Sequence, residues 1–274
     1  MNTVNPSSPR RGYSLIELLV SLGIVSLLIS LLLPTLSGAR DTARGTACLS
    51  NQRQLGTAWV MYAADYRDRA MPLAYWSPAD IGTGQAVYWW GTHGTSTTPV
   101  DHSRGFIAPY LSAALTERSV YECPTQAWGS YRAQGPFQQA TSTYGYNGYY
   151  FSPAKTPGWA STIGHRPWRR IADVRQPSTL FVFADAMLPA TPVRNCALLD
   201  PPELWTGSEW IANDSPTTSF RHQKGLTIAV AADGSARGWH AAGGDLVDEV
   251  NRIGSVGGAA GITLHYVPDA AEWR

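Results

Sequence analysis

The run Arg10-Arg11-Gly12-Tyr13-Ser14-Leu15-Ile16-Glu17 marks a sharp change in the character of the chain. Residues 1–12 are polar, contain proline and end in two arginines and a glycine, whereas the 22 residues 18–39 carry no charged side chain. A helix rises about 1.5 Å per residue, so this stretch is long enough to cross the roughly 30 Å hydrocarbon core of a bilayer. The sequence therefore predicts a cytoplasmic leader over 1–12 and a transmembrane helix over 13–39.

Glu17 lies at the edge of the apolar span, where an ionised carboxylate is costly and usually has a partner or a function. Cleavage after Gly12 would create such a partner, because the new α-amino group of Tyr13 is a cation. A simpler interpretation is that Glu17 is an acid in the first turn of a helix, where it complements the helix dipole. The residues alone leave both interpretations open.

Residues at helical spacing continue beyond the span and predict an amphipathic stalk helix over 40–68. Pro34 should kink the helix, because its ring removes a backbone hydrogen bond. Arg10 and Arg11 favour a cytoplasmic leader and an extracytoplasmic C-terminal domain, although Arg40 and Arg44 lie close behind the span and weaken that bias. The expected stripe comprises Leu36, Ala39, Ala43, Ala47, Asn51, Leu55, Trp59, Tyr62 and Tyr66.

These spacings resemble the type III signal of type IV pilins and type II secretion pseudopilins. In that family a membrane-embedded aspartyl prepilin peptidase cuts after the glycine, and the new N-terminal residue is methylated. The resemblance implies cleavage after Gly12, N-methylation of Tyr13, a role for Glu17 in methylation and docking, and Pro34 as the family's helix-kinking proline. It also implies three partners: the prepilin peptidase/N-methyltransferase, other pilin-like subunits and the inner membrane, in which the chain is single-pass before it joins a filament.

Two other kinds of N-terminus compete with this interpretation. A secretory signal peptide also has a basic start and an apolar core, and Ser37-Gly38-Ala39 can serve as a small-residue cleavage site. Glu17 at the mouth of a long apolar region argues against it. A plain uncleaved membrane anchor is the other alternative.

The remaining residues, 69–274, predict a β-rich extracytoplasmic globular domain. The chain contains 26 glycines, 19 prolines, 11 tryptophans and 13 tyrosines but only 15% charged residues, a mixture typical of turn-rich β structure. Asp233-Gly234 predicts a two-residue hairpin turn. The fold class is α+β, a long N-terminal transmembrane and stalk helix packed on a mainly antiparallel sheet. Strands are expected at 86–90, 119–122, 179–184, 226–232, 235–239 and 262–267, and long loops at 91–103, 134–162 and 189–219.

A second resemblance concerns four segments: Cys48-Leu49-Ser50-Asn51-Gln52, Cys123-Pro124, Tyr144-Gly145-Tyr146-Asn147, and the stretch from Arg221-His222 to Asp233-Gly234. Together they resemble a group of bacterial prepilin-like proteins with a C-terminal signature of His, nine residues and Asp-Gly. In this chain ten residues separate His222 from Asp233, which shifts the strand register unless a bulge absorbs the extra residue.

Three kinds of site follow from individual residues. Three cysteines permit one disulfide, for which Cys48 and Cys123 are the candidate pair, although the residues alone leave every pairing open. Asp185, His222 and Asp233 lie at or near expected strand ends and are candidate cation ligands, with calcium as the cation that the pseudopilin resemblance implies. The simpler explanations are a turn role for Asp233 and a backbone hydrogen bond for His222.

Trp89 and Trp90 are candidate binding aromatics in a segment rich in turns, and ordinary core packing is the competing explanation. The net charge of +1 gives no concentrated basic surface for nucleic acid. No catalytic or nucleotide-binding motif occurs, so no enzymatic activity and no cofactor other than calcium is expected. The sequence predicts a structural subunit of a type IV pilus-like or type II secretion pseudopilus assembly. The alternative is a membrane-anchored envelope binding module that holds glycan or protein cargo on aromatic loops.

Overall fold

The computed structural model describes residues 12–75, 86–92, 101–111, 119–126, 142–153, 168–190, 193–241, 246–257 and 264–272. The expected leader therefore lies almost wholly outside the described residues. The chain divides into two compact units, an N-terminal unit (Met1–Thr42) and a C-terminal unit (Ala43–Arg274). The expected boundaries at residues 12, 39 and 68 stay predictions.

The long helix α1 covers Leu15–Asp65 and continues through Pro34. It begins with a capping box, since the Ser14 N–H donates to Glu17 Oε2 at 2.8 Å and the Glu17 N–H donates to Ser14 Oγ at 3.2 Å. It ends where Arg67 and Asp68 adopt positive φ angles of 56° and 64°. Both ends are therefore determined locally, while the bend at Pro34 stays a prediction.

In the N-terminal unit, α1 presents apolar side chains on all sides. Its most apolar 18-residue window contains no buried residue, and by length and composition the helix can cross a membrane. The core helix of a soluble protein would be mostly buried. This segment has the composition of a membrane span and lacks the burial of a soluble core helix.

In the C-terminal unit, the rest of α1 has one buried face. The expected stripe is correct at Leu55, Trp59 and Tyr62, but Ala47 and Tyr66 are exposed. The buried face is displaced by one residue at its start. Its members are Cys48, Gln52, Leu55, Gly56, Ala58, Trp59, Tyr62 and Ala63.

All strands among the described residues belong to the C-terminal unit, and they are short. They are β1 (Ala74–Tyr75), β2 (Val87–Tyr88), β3 (Gly91–Thr92), β4 (Tyr144–Tyr146), β5 (Phe181–Asp185), β6 (Met187–Leu188), β7 (Arg194–Asn195), β8 (Glu203–Trp205), β9 (Trp210–Ala212), β10 (Thr218–Ser219), β11 (Leu226–Ala231), β12 (Ala236–His240), β13 (Leu246–Asp248) and β14 (Ile253–Gly254). A short helix, α2 (Gly148–Phe151), follows β4.

The largest sheet has four strands in the order β12-β11-β5-β4, and two smaller sheets have the orders β1-β2-β3 and β10-β14-β13. The other strands in the described part of the chain form the pairs β6-β7 and β8-β9. Every strand pairing in these sheets is antiparallel within the described residues. The α+β prediction, a long N-terminal helix followed by antiparallel sheets, is confirmed.

Several of the expected strands and loops are wrong. Residues 119–122 form a turn in which the Glu122 N–H donates to Ser119 O at 3.1 Å. Residues 264–266 also form a turn, and 262–263 lie outside the described residues. The expected loops contain β3, β4, α2 and the strands from β7 to β10, because strands of two or three residues carry little periodicity. The strand β2 lies within the expected 86–90, and β5, β11 and β12 lie close to their expected positions.

The hairpin between β11 and β12 has a longer turn than expected. The Ala231 N–H donates to Ser235 O at 2.8 Å, so three residues intervene and not two. Gly234 has a φ of 82°, a left-handed conformation that glycine adopts without strain. Asp233 Oδ1 accepts a hydrogen bond of 2.8 Å from the Ser235 N–H, so this carboxylate stabilises the turn.

Candidate functional site

Four titratable side chains from distant parts of the sequence meet inside the C-terminal unit. They are Cys48 on α1, Cys123 in a turn, Asp185 at the end of β5 and His222 shortly before β11. One ligand atom from each lies within 4.8 Å of the others, and all four residues are buried. We call this group the Cys-Asp-His cluster.

The antiparallel pairing of β5 with β11 explains why Asp185 and His222 meet. Ala229 of β11 pairs with Ala184 of β5, so the beginning of β11 lies beside the end of β5. Between His222 and β11 the chain turns through Lys224 and Gly225, whose φ angles are 60° and 70°. This turn holds the His222 N–H against Leu226 O at 3.0 Å.

The same pairing explains why Asp233 is not part of the cluster. Asp233 follows the opposite end of β11, and its N–H donates to Pro177 O at 3.0 Å, close to the start of β5. Its side chain is exposed. The structure therefore brings together Asp185 and His222, two of the three candidate cation ligands. The third candidate, Asp233, lies in the hairpin turn at the other end of β11.

Within the cluster, ligand atoms of neighbouring side chains lie 3.0–3.6 Å apart. His222 Nε2 lies 3.0 Å from Asp185 Oδ2 and 3.6 Å from Cys123 Sγ, and the Cys48 thiol donates to Asp185 Oδ1 at 3.4 Å. The Ile228 N–H donates to Asp185 Oδ2 at 2.7 Å and fixes that carboxylate.

A second layer of polar groups orients the cluster. Thr125 Oγ1 lies 3.2 Å from His222 Nδ1, and the Tyr144 hydroxyl donates to Cys48 Sγ at 3.4 Å. Arg221 donates to the carbonyl oxygens of Thr143 at 3.2 Å and Ala186 at 2.5 Å. Arg221 Nη1 is buried and makes no hydrogen bond among the described residues. The Arg221 cation lies near enough to the cluster to lower the pKa of Asp185 and of Cys123.

The charges of the cluster depend on one another. Burial disfavours the imidazolium of His222, but the Asp185 carboxylate outweighs burial and raises the pKa of His222 to about 10. Burial likewise opposes ionisation of Asp185, and His222 outweighs it and lowers the pKa of Asp185. Burial raises the pKa of Cys48, whereas hydrogen bonds from Cys48 and His222 overcome the effect of burial on Cys123 and lower its pKa to about 5.

The geometry differs from that of a nucleophilic triad. In such a triad the acid and the nucleophile contact different nitrogens of the histidine. Here Asp185 and Cys123 both face Nε2 of His222, and Nδ1 faces Thr125. The arrangement suits a buried ion pair or a metal ion, since several donors converge on one point.

Cys48 and Cys123, the expected disulfide pair, belong to this cluster. All three cysteines are free thiols in the structure, and Cys196 lies elsewhere, with its thiol donating to Leu198 O at 3.3 Å. The sequence therefore indicated all four members of the cluster, but as a disulfide and a separate cation site. The position of Cys48 on the buried face of α1 would have linked the two predicted sites. The expected stripe was displaced by one residue at this point and contained Ala47, not Cys48.

Trp89 and Trp90 are core residues, so the expectation that they bind ligands at the surface is wrong. Their exposed fractions are 0% and 1%. The Trp89 indole N–H donates to Ala197 O at 2.8 Å, and its ring lies 5.1 Å from that of Phe183. Large apolar rings with a satisfied N–H are well suited to a protein interior. Residues 93–100, the rest of that segment, lie outside the described residues.

The expected processing residues lie at the accessible start of α1. Gly12 and Tyr13 precede the helix, and Tyr13 is 87% exposed. A methyl group added at Gly12 would meet no atom within 4 Å among the described residues. Glu17 is engaged in the capping box with Ser14.

The comparisons with known proteins concern this N-terminal segment. Residues 7–33 match the family described as Prokaryotic N-terminal methylation motif. The chain matches no curated protein and no solved structure. A prepilin-type motif followed by an apolar helix is consistent with a type IV pilin-like protein, and it indicates a membrane-anchored single-pass chain. Such proteins are structural and usually have no enzymatic activity.

Proposed function

We propose that the protein is a structural subunit of a type IV pilus-like or type II secretion pseudopilus assembly. In this proposal prepilin peptidase cleaves the chain after Gly12 in the inner membrane, and Tyr13 is then N-methylated. The C-terminal unit is extracytoplasmic. The match of residues 7–33 to the methylation motif carries the proposal.

The surface of α1 in the N-terminal unit supports an assembly role. Its leucine, isoleucine and valine side chains are about half exposed or more, from Leu15 to Leu33. Burial of apolar surface is favourable by roughly 25 cal/mol per Å², so such a helix requires lipid or neighbouring helices around it. Repeated head-to-tail packing of one shared surface produces an open filament.

Mass spectrometry of the mature N-terminus tests the processing step. The expected product starts at N-methylated Tyr13. Gly12→Val should block cleavage without disturbing the fold, whereas Gly23→Val, at another glycine of the same unit with no neighbouring atom within 4 Å among the described residues, should leave cleavage intact. An intact Met1, or a start at Arg40, would contradict the proposal.

Crosslinking tests the assembly step. Two cysteines per subunit, one near residue 20 and one near residue 33, should give ladders of crosslinked species in membranes, because each subunit can then be joined to two neighbours. The native cysteines are buried and should not interfere. A double variant with Ile211→Cys and Val250→Cys, at residues that are 45% and 91% exposed in the C-terminal unit, is the control and should give no ladder. Dimers alone from positions 20–33 would mean that the helix is only an anchor.

The alternative function, a binding module that uses aromatic loops, depended on Trp89 and Trp90 as its candidate binding residues. Trp89 and Trp90 cannot stack on a glycan or a partner protein while they are buried in the core.

A further inference from the structure

We infer that Cys48, Cys123, Asp185 and His222 form a structural zinc site. The inference is independent of filament formation, because a chain that does not polymerise still contains the four ligands in one unit.

The types of donor atom in the cluster favour zinc. The cluster offers two sulfurs, one imidazole nitrogen and one carboxylate. Four-coordinate zinc is bound by this mixture of ligands in proteins, whereas calcium takes six to eight oxygen ligands. Thiolates in particular favour soft or borderline metals. The donor atoms therefore favour zinc over the calcium that the sequence resemblance implied.

The separations between donor atoms agree with a tetrahedral site. Zinc binds sulfur at about 2.3 Å and nitrogen or oxygen at about 2.0 Å, which places ligand atoms roughly 3.3–3.8 Å apart around a tetrahedron. The contacts of 3.4 Å between Cys48 Sγ and Asp185 Oδ1 and 3.6 Å between Cys123 Sγ and His222 Nε2 fall in this range. The 3.0 Å between His222 Nε2 and the other carboxylate oxygen, Asp185 Oδ2, is slightly shorter. All four ligand atoms lie within 4.8 Å of one another, so side-chain shifts of about 1 Å would bring every separation into the tetrahedral range.

The surroundings of the ligands match those of metal sites. A histidine that binds zinc through one nitrogen usually hydrogen-bonds through the other, and His222 Nδ1 faces Thr125 Oγ1. Asp185 accepts the Ile228 N–H, and Cys48 accepts the Tyr144 hydroxyl. Two thiolates, one carboxylate and Zn²⁺ sum to one negative charge, which the neighbouring Arg221 guanidinium balances. Zinc binding requires both cysteines as thiolates and His222 as a neutral imidazole.

The burial of the cluster indicates a structural site and not a catalytic one. Catalytic zinc sites keep an open position for water, whereas structural sites are closed by four protein ligands. All four residues here are buried, and they come from α1, a turn, the end of β5 and the segment before β11. One ion would therefore crosslink four segments that are far apart in the sequence.

Zinc binding to the full-length chain in detergent tests the inference. After chelation under reducing conditions, titration with zinc chloride should give one ion per chain. Cys123→Ser and His222→Gln should each weaken zinc affinity at least tenfold. Cys196→Ser is the matched control, because it removes a buried thiol outside the cluster and should leave affinity unchanged. Equal zinc affinity in all these proteins would overturn the inference.

Two measurements on the wild-type chain keep the test valid if the variants do not fold. Cobalt(II) should bind with the thiolate charge-transfer and intense visible bands of a tetrahedral site. Thiol titration of protein purified without reductant, unfolded in the presence of a chelator, should give three thiols per chain. One thiol would mean that two cysteines form a disulfide, and three thiols without bound zinc or cobalt bands would mean a simple ion pair. Either result overturns the inference.

Discussion

Replacing Gly56 with alanine should push α1 away from the sheet in the C-terminal unit. Gly56 lies on the buried face of α1, and an added Cβ would lie 2.8 Å from Val230 Cγ2. Carbon atoms in contact prefer about 3.5–4.0 Å, so the overlap is roughly 1 Å. Val230 is fully buried in β11, which is paired on both sides with β5 and β12, and has little room to move.

Two effects of opposite sign determine the size of the change. Alanine stabilises a helix interior by about 0.8–1 kcal/mol relative to glycine. Overpacking of a filled core costs about 1–3 kcal/mol, and the confinement of Val230 favours the upper part of that range. Gly56→Ala should therefore lower the free energy of unfolding by about 1–2 kcal/mol.

Gly45 provides the matched control on the same helix. A Cβ there would lie 3.7 Å from His222 Nδ1, an ordinary van der Waals contact. Gly45→Ala should therefore show only the helix effect and raise the free energy of unfolding by up to about 1 kcal/mol. Denaturant unfolding of the full-length chain in detergent, followed by near-ultraviolet circular dichroism, measures both changes.

A double-mutant cycle identifies Val230 as the cause. Val230→Ala alone should cost about 2 kcal/mol because it leaves a cavity. It also makes room for a methyl group at residue 56, so the double variant should be more stable than the sum of the single changes by about 1 kcal/mol. The reasoning fails if Gly56→Ala is as stabilising as Gly45→Ala, or if the two substitutions are additive.

Two further predictions concern carboxylates. Burial raises the pKa of Asp200 from 3.8 to about 7, and its Oδ1 makes no hydrogen bond among the described residues. The free energy of unfolding of the wild type should therefore fall as pH rises from 4 to 7, by on the order of 3 kcal/mol relative to that of Asp200→Asn. Parallel pH profiles of unfolding free energy for the two proteins would contradict this prediction. Glu17→Gln should keep the capping acceptor but remove the charge, so it should impair Tyr13 methylation or assembly while Glu17→Ala also weakens the helix start. Equal methylation and assembly in wild type and Glu17→Gln would mean that Glu17 acts only as a helix-capping residue.

The start of α1 was readable from the sequence because its determinants are local. Ser14 and Glu17 have the spacing of a capping box, and an uncharged run follows them at once. The strands were harder to predict. Most contain two or three residues, too few for alternation to establish a face.

The Cys-Asp-His cluster depends on contacts over long sequence separations, which no local pattern encodes. Cys48 and Asp185 are 137 residues apart, and Cys123 and His222 are 99 residues apart. The sequence indicated the chemistry of each residue but not their meeting point. That point follows from two structural facts, the antiparallel order of β5 and β11 and the buried face of α1.

The ten-residue spacing between His222 and Asp233 does not disturb the cluster. In a continuous strand, one extra residue would turn His222 to the opposite face of the sheet. However, β11 keeps a regular register against β12 from Leu226 to Val230, and the chain between His222 and Leu226 is a turn and not a strand. The orientation of His222 is thus set by this turn and by its bridge to Leu226, and not by counting residues back from Asp233. The ten-residue spacing is therefore compatible with a buried His222 beside Asp185.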